Sequence, residues 1–394
     1  MRDGLDAISD CRAEPRIPTL RILSSLFLGL AARLGSLNAI DKALRDQPLT
    51  KRWNEWIGGG VPSADRLGEV PELMNLDGLR GLLLAHYFGR KRKKTLEPIE
   101  ENLRVLILDG HEMCASYFRT CKDCLEREVA HGKEKRTQYY HRYVMAYLQC
   151  RGGRLLLDLE MQRPGEGEIA AARRLLERLR KAAPRAFNMV TGDALYLDPG
   201  LCSWLLEHGM DFVCVLKNEN RELIQDFRGL AQTGHGETLE CIHGRKQCVC
   251  RDIEGFNSWT QLGKPVRVVQ SLETSLVRRQ RTKENEICSS EWLWATSLTK
   301  QRAGTAAILR LGHGRWDIEN HGFNELVTYW HADHVYHHEI VAMTVMLLVL
   351  FLVYNLFHVF LERALKPALR ARYTPSALAS RITTEFYAVL PHPT

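Results

Sequence analysis

The chain has 394 residues, 45% of them apolar, and its 54 Lys and Arg exceed 47 Asp and Glu, for a formal charge of +7 and a pI near 8.8. That length allows two or three packed units with real cores, and the charge favours an anionic partner, nucleic acid among the candidates. The opening stretch MRDGLDAISDCRAEPRIP lacks the apolar core of a secretory leader, so the 11 Cys are expected as reduced, mostly buried thiols in a cytoplasmic protein and not as a disulfide framework.

Residues 18–46 read as one amphipathic helix, with Leu23, Leu26, Leu30 and Leu34 near helical spacing. GGGVPSAD at 58–65 is a break, and Ser63 or Asp65 can cap the helix that follows to about Phe88. Five consecutive bases then appear: Arg90, Lys91, Arg92, Lys93 and Lys94. Such a run is ordinarily a solvated linker; its functional reading is a hinge that grips phosphates.

From residue 103 the texture turns to β. RVLILDG (104–110), TQYYHRYVMAYLQC (137–150) and RLLLDLEMQ (154–162) predict three strands, the last two separated by Gly152-Gly153. GEIAAARRLLERLRKAAP (167–184) predicts a helix, FNMVTGD (187–193) a strand, PGLCSWLLEHG (199–209) a helix and DFVCVLKN (211–218) a strand. The order is βββαβαβ. Residues 219–300 read as a β-rich insertion carrying ETLECIH, KQCVCRDI, PVRVVQSLE and EWLWATSL, and helix resumes after Thr299. Ile340 to Leu361 lacks Asp, Glu, Lys and Arg and is long enough to cross a bilayer. Basic residues Arg363, Lys366, Arg370 and Arg372 follow it, and Thr344, Asn355 and His358 form a narrow polar stripe, so a buried core helix is expected and no membrane span.

Asp109 and Asp193 each stand where an apolar strand is expected to end, the position at which α/β folds expose their chemistry; an acid there is also a common turn former. In GRWDIENHGFNELVTYWHADH (314–334), helical register puts Glu319 on the face of Trp316, Phe323 and Leu326 and turns Asp317 and Glu325 away as solvent acids. An inward carboxylate needs a partner. Arg315 can supply part of it, and the plain reading is an Arg315–Glu319 ion pair. The functional reading is that Glu319 joins Asp109 and Asp193. Three carboxylates offer the hard oxygens that Mg²⁺ prefers, with Mn²⁺ as a substitute, and such ions support phosphoryl transfer.

The strand–helix order with these three acids resembles the RNase H-like core (βββαβαβ-α) of DDE transposases. LDGHE (108–112), GDALY (192–196) and RWDIENHGFNEL (315–326) resemble bacterial insertion-sequence transposases of the branch with a β-rich insertion before the Glu helix. The likeness implies an α/β fold, Asp109, Asp193 and Glu319 as the catalytic metal-binding triad, and Arg315 as the arginine of the branch's Y-(2)-R-(3)-E-(6)-K signature. Gly312 stands at its tyrosine position and Leu326 at its lysine position; His313 or His321 are neighbours that can stand in. The resemblance further implies Mg²⁺-dependent DNA cleavage at element ends and strand transfer, double-stranded DNA as partner through terminal inverted repeats and target, a homodimer in the synaptic complex, and a nucleoid-associated, cytoplasmic enzyme. A decayed or host-adopted DNA-binding protein is the alternative.

The expected organisation is a helical DNA-recognition region over 1–98, the first part of the core over 99–218, the insertion over 219–300, the last core helices over 301–365 and a tail over 366–394. Candidate DNA contacts are the run Arg90 to Lys94, then Lys133, Lys135 and Arg136, and Arg278, Arg279 and Arg281 of the insertion. Trp292 and Trp294 are candidates for base stacking, with packing into a sheet as the plain reading. Cys121-x-x-Cys124 supplies two ligands of a structural Zn²⁺, with Cys114, His111 and His131 nearby. Cys241, Cys248 and Cys250 with His243 read as core residues first, and HADHVYHH (331–338) as helix packing.

Overall fold

The computed structural model describes every residue except 1, 48, 101, 133, 152, 219, 220, 282 and 388–394. Lys133 and Gly152, both invoked above, lie outside the described residues. The chain divides into two compact units: Met1–Glu97, Gly110–Ala183 and Glu319–Thr394 make the first, and Pro98–Asp109 and Pro184–Ile318 the second. Its strands are β1 (Val105–Ser116), β2 (Leu125–His131), β3 (Glu134–Cys150), β4 (Gly153–Met161), β5 (Met189–Gly192), β6 (Asp211–Val215), β7 (Glu237–His243), β8 (Lys246–Phe256), β9 (Val266–Arg278) and β10 (Asn285–Thr296).

In the second unit, the first half of β1 runs parallel to β5, and β5 parallel to β6. β10 then pairs antiparallel with β6, and β9, β8 and β7 follow outward in hairpin order. The predicted alternation is present, with helices Glu168–Ala182 and Pro199–Glu207 between β4, β5 and β6. The fold is mixed α/β. The insertion opens on a helix, Glu222–Gln232, that its flanking β-type segments hide in sequence. One buried ion pair fixes the return from the insertion: Arg267 holds Asp252 through two bonds of 2.8 and 2.6 Å and donates to the Ala303 carbonyl at 2.6 Å, while Thr305 donates to Asp252 at 2.6 Å. Thr305 begins the helix Thr305–Gly314 that leads to Arg315.

In the first unit, the expected helix over 18–46 is two helices, Thr19–Ala31 and Leu37–Arg45. Arg33 adopts a left-handed φ of 58° between them, and the Ser36 side chain caps the second by accepting from the Ala39 N–H at 3.1 Å. Ser63 occupies the N-cap of the next helix, but Asp41 accepts from the Ala64 N–H in its place. Helix Leu76–Arg92 continues into the basic run, because Arg90 is buried against Glu362 at 2.8 Å and so belongs to the core side of its last turn. A strand missing from the sequence reading, β2, pairs with the first half of β3. Only Leu125 at its start is buried, so it offers no alternating apolar signal.

The helix Ile340–Val359, long and apolar enough to cross a membrane, is the core of this unit, packed on helices Thr19–Ala31 and Leu76–Arg92 and on β4. Its polar stripe is fully used. Thr344 donates to the Ile340 carbonyl, Asn355 accepts from the Leu156 N–H at 2.9 Å and donates to the Leu156 carbonyl at 2.8 Å, and His358 bonds Glu325 at 2.8 Å. Glu325 is therefore buried, with Arg154 also near it at 3.7 Å, and is not the solvent acid that α-helical register predicts. Residues Ile318–Phe323 form a π-helical turn, wider than 3.6 residues, and this shifts every position after it. On β4, Asp158 and Glu160 are held by Arg178 at 2.7 and 2.6 Å, and Arg80 and Arg174 complete a network binding two helices to the strand.

Candidate active site

Apolar residues Val105 to Leu108 bury the start of β1, and the first half-exposed position is Asp109. The strand does not end there, as expected, but runs on to Ser116. The β1–β5 pairing ends at Ile107 with Thr191, and Asp109 and Asp193 each lie two residues beyond that pair, Asp193 just past the end of β5. Both acids therefore belong to the same sheet edge in the second unit. Asp193 also shapes its own turn, accepting from the Leu195 N–H at 2.8 Å, and Gly192 before it leaves room for the Tyr196 ring, whose atoms lie 2.7 Å from where a Cβ would stand.

Arg315, at the end of helix Thr305–Gly314, donates from Nη1 to Asp109 Oδ2 at 3.2 Å, and its guanidinium lies 4.4 Å from the Trp316 ring centroid. The arginine is 5% exposed and the Asp109 side chain 16%. Cys214, next to Gly192 in register, reports the local field: burial above all pushes its thiol up to about 12, Asp193 adds to that rise, and Arg315 opposes it. Asp109, Asp193 and Arg315 are thus gathered at one place. Glu319, four residues on from Arg315, is the residue at which the first unit resumes, half-buried on the π-helical turn; Asp317 is equally half-buried, so exposure does not separate the two acids as register predicted.

Behind Arg315 lies an aromatic layer in the second unit. Trp292 and Trp294 stack at 6.2 Å, His313 packs edge-on to both, Trp292 meets Trp316 at 6.2 Å, and His243 stacks on His313 at 4.7 Å. His313 is anchored to Glu273 at 2.5 Å, and Lys246 holds the same carboxylate at 2.6 Å. Burial pushes the Glu273 carboxyl up, yet the bonds from His313 and Lys246 outweigh it and hold the group down at about 2. Trp294 is fully buried, which withdraws it from base stacking; Trp292 is half-buried. A Cβ on Gly312 would stand 2.3 Å from the Trp294 ring. The space beside the tyrosine position of the resembled signature is therefore filled by a tryptophan from β10, and its lysine position, Leu326, is fully buried in the first unit.

The remaining candidates separate cleanly. Lys91, Arg92, Lys93 and Lys94 are exposed, as are Lys135 and Arg136 on β3, while Arg90 is committed to Glu362. Arg278, Arg279 and Arg281 are exposed around the β9–β10 turn, with Arg279 paired to Glu286. Cys241 faces Cys248 across β7 and β8, and Cys248 and Cys250 are core residues, as the plain reading has it. In the first unit His111 bonds Asp333 at 2.8 Å and stacks on Phe323 at 4.7 Å, and His337 bonds Glu72. Sequence reasoning passed over Glu168, which is buried, held by Arg142 at 3.0 Å, and close enough to Gly110 that a Cβ there would strike its carboxylate at 2.2 Å. A glycine directly after a candidate acid is the signal that could have found it. The structure brings Cys121 and Cys124 to His141 and His338, and not to Cys114, His111 or His131.

No curated protein matches the chain. The family described as the transposase DDE domain matches residues 101–356, which take in Asp109, Asp193, Arg315, Glu319 and both departures at Gly312 and Leu326. The chain belongs to the DDE-domain transposases.

Proposed function

We propose that this protein cuts DNA at the ends of an insertion sequence and joins those ends to target DNA, using Asp109, Asp193 and Glu319 as the ligands of divalent metal within an RNase H-like core. The reading rests on the parallel pairing of β1, which carries Asp109, with β5, which Asp193 directly follows, and on Arg315 against Asp109. Partly exposed carboxylates are hard oxygen donors, a set that fits Mg²⁺ or Mn²⁺ better than any soft metal. Bound there, the metal would supply charge stabilisation at the phosphate and activation of the attacking oxygen.

The chain's own residues do the rest. A water oxygen attacks the phosphorus at the element end and the 3′ oxygen leaves with a proton. The freed 3′-OH then attacks a target phosphodiester, forming one P–O bond as another breaks. No covalent enzyme intermediate is needed, so the protein's task is positioning. Arg315, held by Asp109 and backed by Trp316, keeps one carboxylate oriented and sets a fixed positive charge beside it. The exposed bases Lys91 to Lys94, Lys135, Arg136, Arg278 and Arg281 are surface cations that can track phosphates of the terminal repeats and the target. Two ends must be held together for transfer, which calls for a homodimer on DNA. The test is cleavage of end-bearing DNA in Mg²⁺ by the native chain and by Glu319→Gln: the variant should bind DNA and lose cutting by about a thousandfold or more, and a variant that cuts like the native chain overturns the assignment.

A further inference from the structure

Cys121 and Cys124 lie in the turn before β2, His141 on β3 and His338 two residues before helix Ile340–Val359, all in the first unit. Their four ligand atoms lie within 4.8 Å of one another. The individual separations are specific: Sγ to Sγ 3.6 Å, Cys121 Sγ to His141 Nε2 3.5 Å, Cys124 Sγ to the His141 and His338 Nε2 atoms 3.4 and 3.6 Å, and Nε2 to Nε2 3.2 Å. Zinc bonds of about 2.3 Å to sulfur and 2.0–2.1 Å to nitrogen, set at tetrahedral angles, require edges of about 3.8 Å for S–S, 3.6 Å for S–N and 3.4 Å for N–N. These five edges each fall within about 0.2 Å of their ideal length, and the sixth, Cys121 Sγ to His338 Nε2, lies within 4.8 Å. Two imidazole nitrogens so close can share a single proton, and thiols are weak donors.

We propose that Cys121, Cys124, His141 and His338 bind one structural Zn²⁺ that fastens the β2–β3 hairpin to the start of helix Ile340–Val359. Binding releases one proton from each thiol, and the two thiolates neutralise the ion while each imidazole gives its Nε2 lone pair. Four protein ligands close the shell, so no position remains for water or substrate, and the site is structural, not catalytic. The Cys121 N–H donates to Cys124 Sγ at 3.3 Å, which fixes the turn that carries both sulfurs. The soft pair also separates this site chemically from the carboxylates that suit Mg²⁺.

The fold supplies the need. Beyond Leu125, β2 is exposed or half-exposed along its length, so it brings little apolar burial of its own to the sheet, where it pairs with β3 and β3 with β1. A metal tie across 197 residues of chain, from His141 to His338, would add to the bidentate Arg127–Glu112 pair that joins β2 to β1.

The full-length chain, purified without a histidine tag and dialysed against Mg²⁺ buffer, is to be assayed for metal by plasma mass spectrometry. About one zinc per chain is expected. His338→Ala and the pair Cys121→Ser with Cys124→Ser should lower zinc affinity at least about tenfold, while His131→Asn, at an exposed histidine nearby, should keep it. Where a variant fails to fold, Co²⁺ added to the native chain decides: the visible absorption of tetrahedral thiolate-bound cobalt is expected, displaced by zinc. Native chain with less than about a tenth of an equivalent of zinc and no cobalt absorption overturns the proposal, as does a Cys121–Cys124 disulfide in the freshly purified protein. Metal content is read without DNA, so the result stands whether or not the chain cuts.

Discussion

Two buried arginines in the second unit each hold an aspartate, and they hold it differently. Arg267 grips Asp252 through two nitrogens, the pair is 2% and 0% exposed, and Thr305 and two carbonyls take up further bonding capacity. Arg315 reaches Asp109 through Nη1 at a longer 3.2 Å, and Asp109 keeps 16% of its side chain open. The first arrangement is closed and can only support the fold. The second is partly open to solvent, in keeping with the metal-binding role proposed for Asp109. On the proposed function, two pairs of the same chemistry divide between holding the frame and serving the reaction.

The sharpest way to break that division is to neutralise both acids in turn. Asp109→Asn should abolish DNA cutting, by about a thousandfold or more, with a denaturation midpoint close to native. Asp252→Asn should do the reverse and cost about 3–5 kcal/mol of stability by stranding Arg267, measured as a lower urea midpoint. If Asp109→Asn unfolds the chain instead, the contrast fails.

A smaller effect is expected at Gly312. Gly312→Tyr restores the signature residue but drives it into Trp294, and should cost at least about 1–3 kcal/mol; an unchanged midpoint would show that the helix leading to Arg315 does not depend on this close approach. The effect of Glu273 is read through pH. Its carboxyl is depressed from 4.5 to about 2, so its contribution is complete above the unfolded value and is lost as pH falls through about 2. Glu273→Gln should therefore weaken the chain near neutral pH and flatten the decline between about pH 5 and 2, a change readable in thermal midpoints across that window.

Much of this was legible in sequence because it follows local periodicity. The apolar runs of β1, β3, β4, β5 and β6 and the strands of the insertion declare themselves, and so do the helices between them. What escaped has identifiable causes. β2 carries charge on both faces and gives no period-two signal. The π-helical turn changes the count after Glu319, which is how Glu325 came to lie buried beside His358. Arg90 looked like one base among five until Glu362, 272 residues later, was placed beside it. The Cys-x-x-Cys pair was visible, but its companions His141 and His338 are 17 and 214 residues from Cys124, and no local spacing announces them.

Asn355 gives the long apolar helix a property its composition conceals. Its amide reads both backbone polar groups of a single residue, Leu156, beside the irregularity where β3 and β4 shift register between Ala146 and Tyr147. A slide of β4 by one residue would turn its side chains over and would also leave this amide facing groups it cannot match, at a cost of about 1–3 kcal/mol for each polar group stranded in the core. The helix thus acts as a proofreader of strand alignment, at the very place where the strand pairing is least able to check itself.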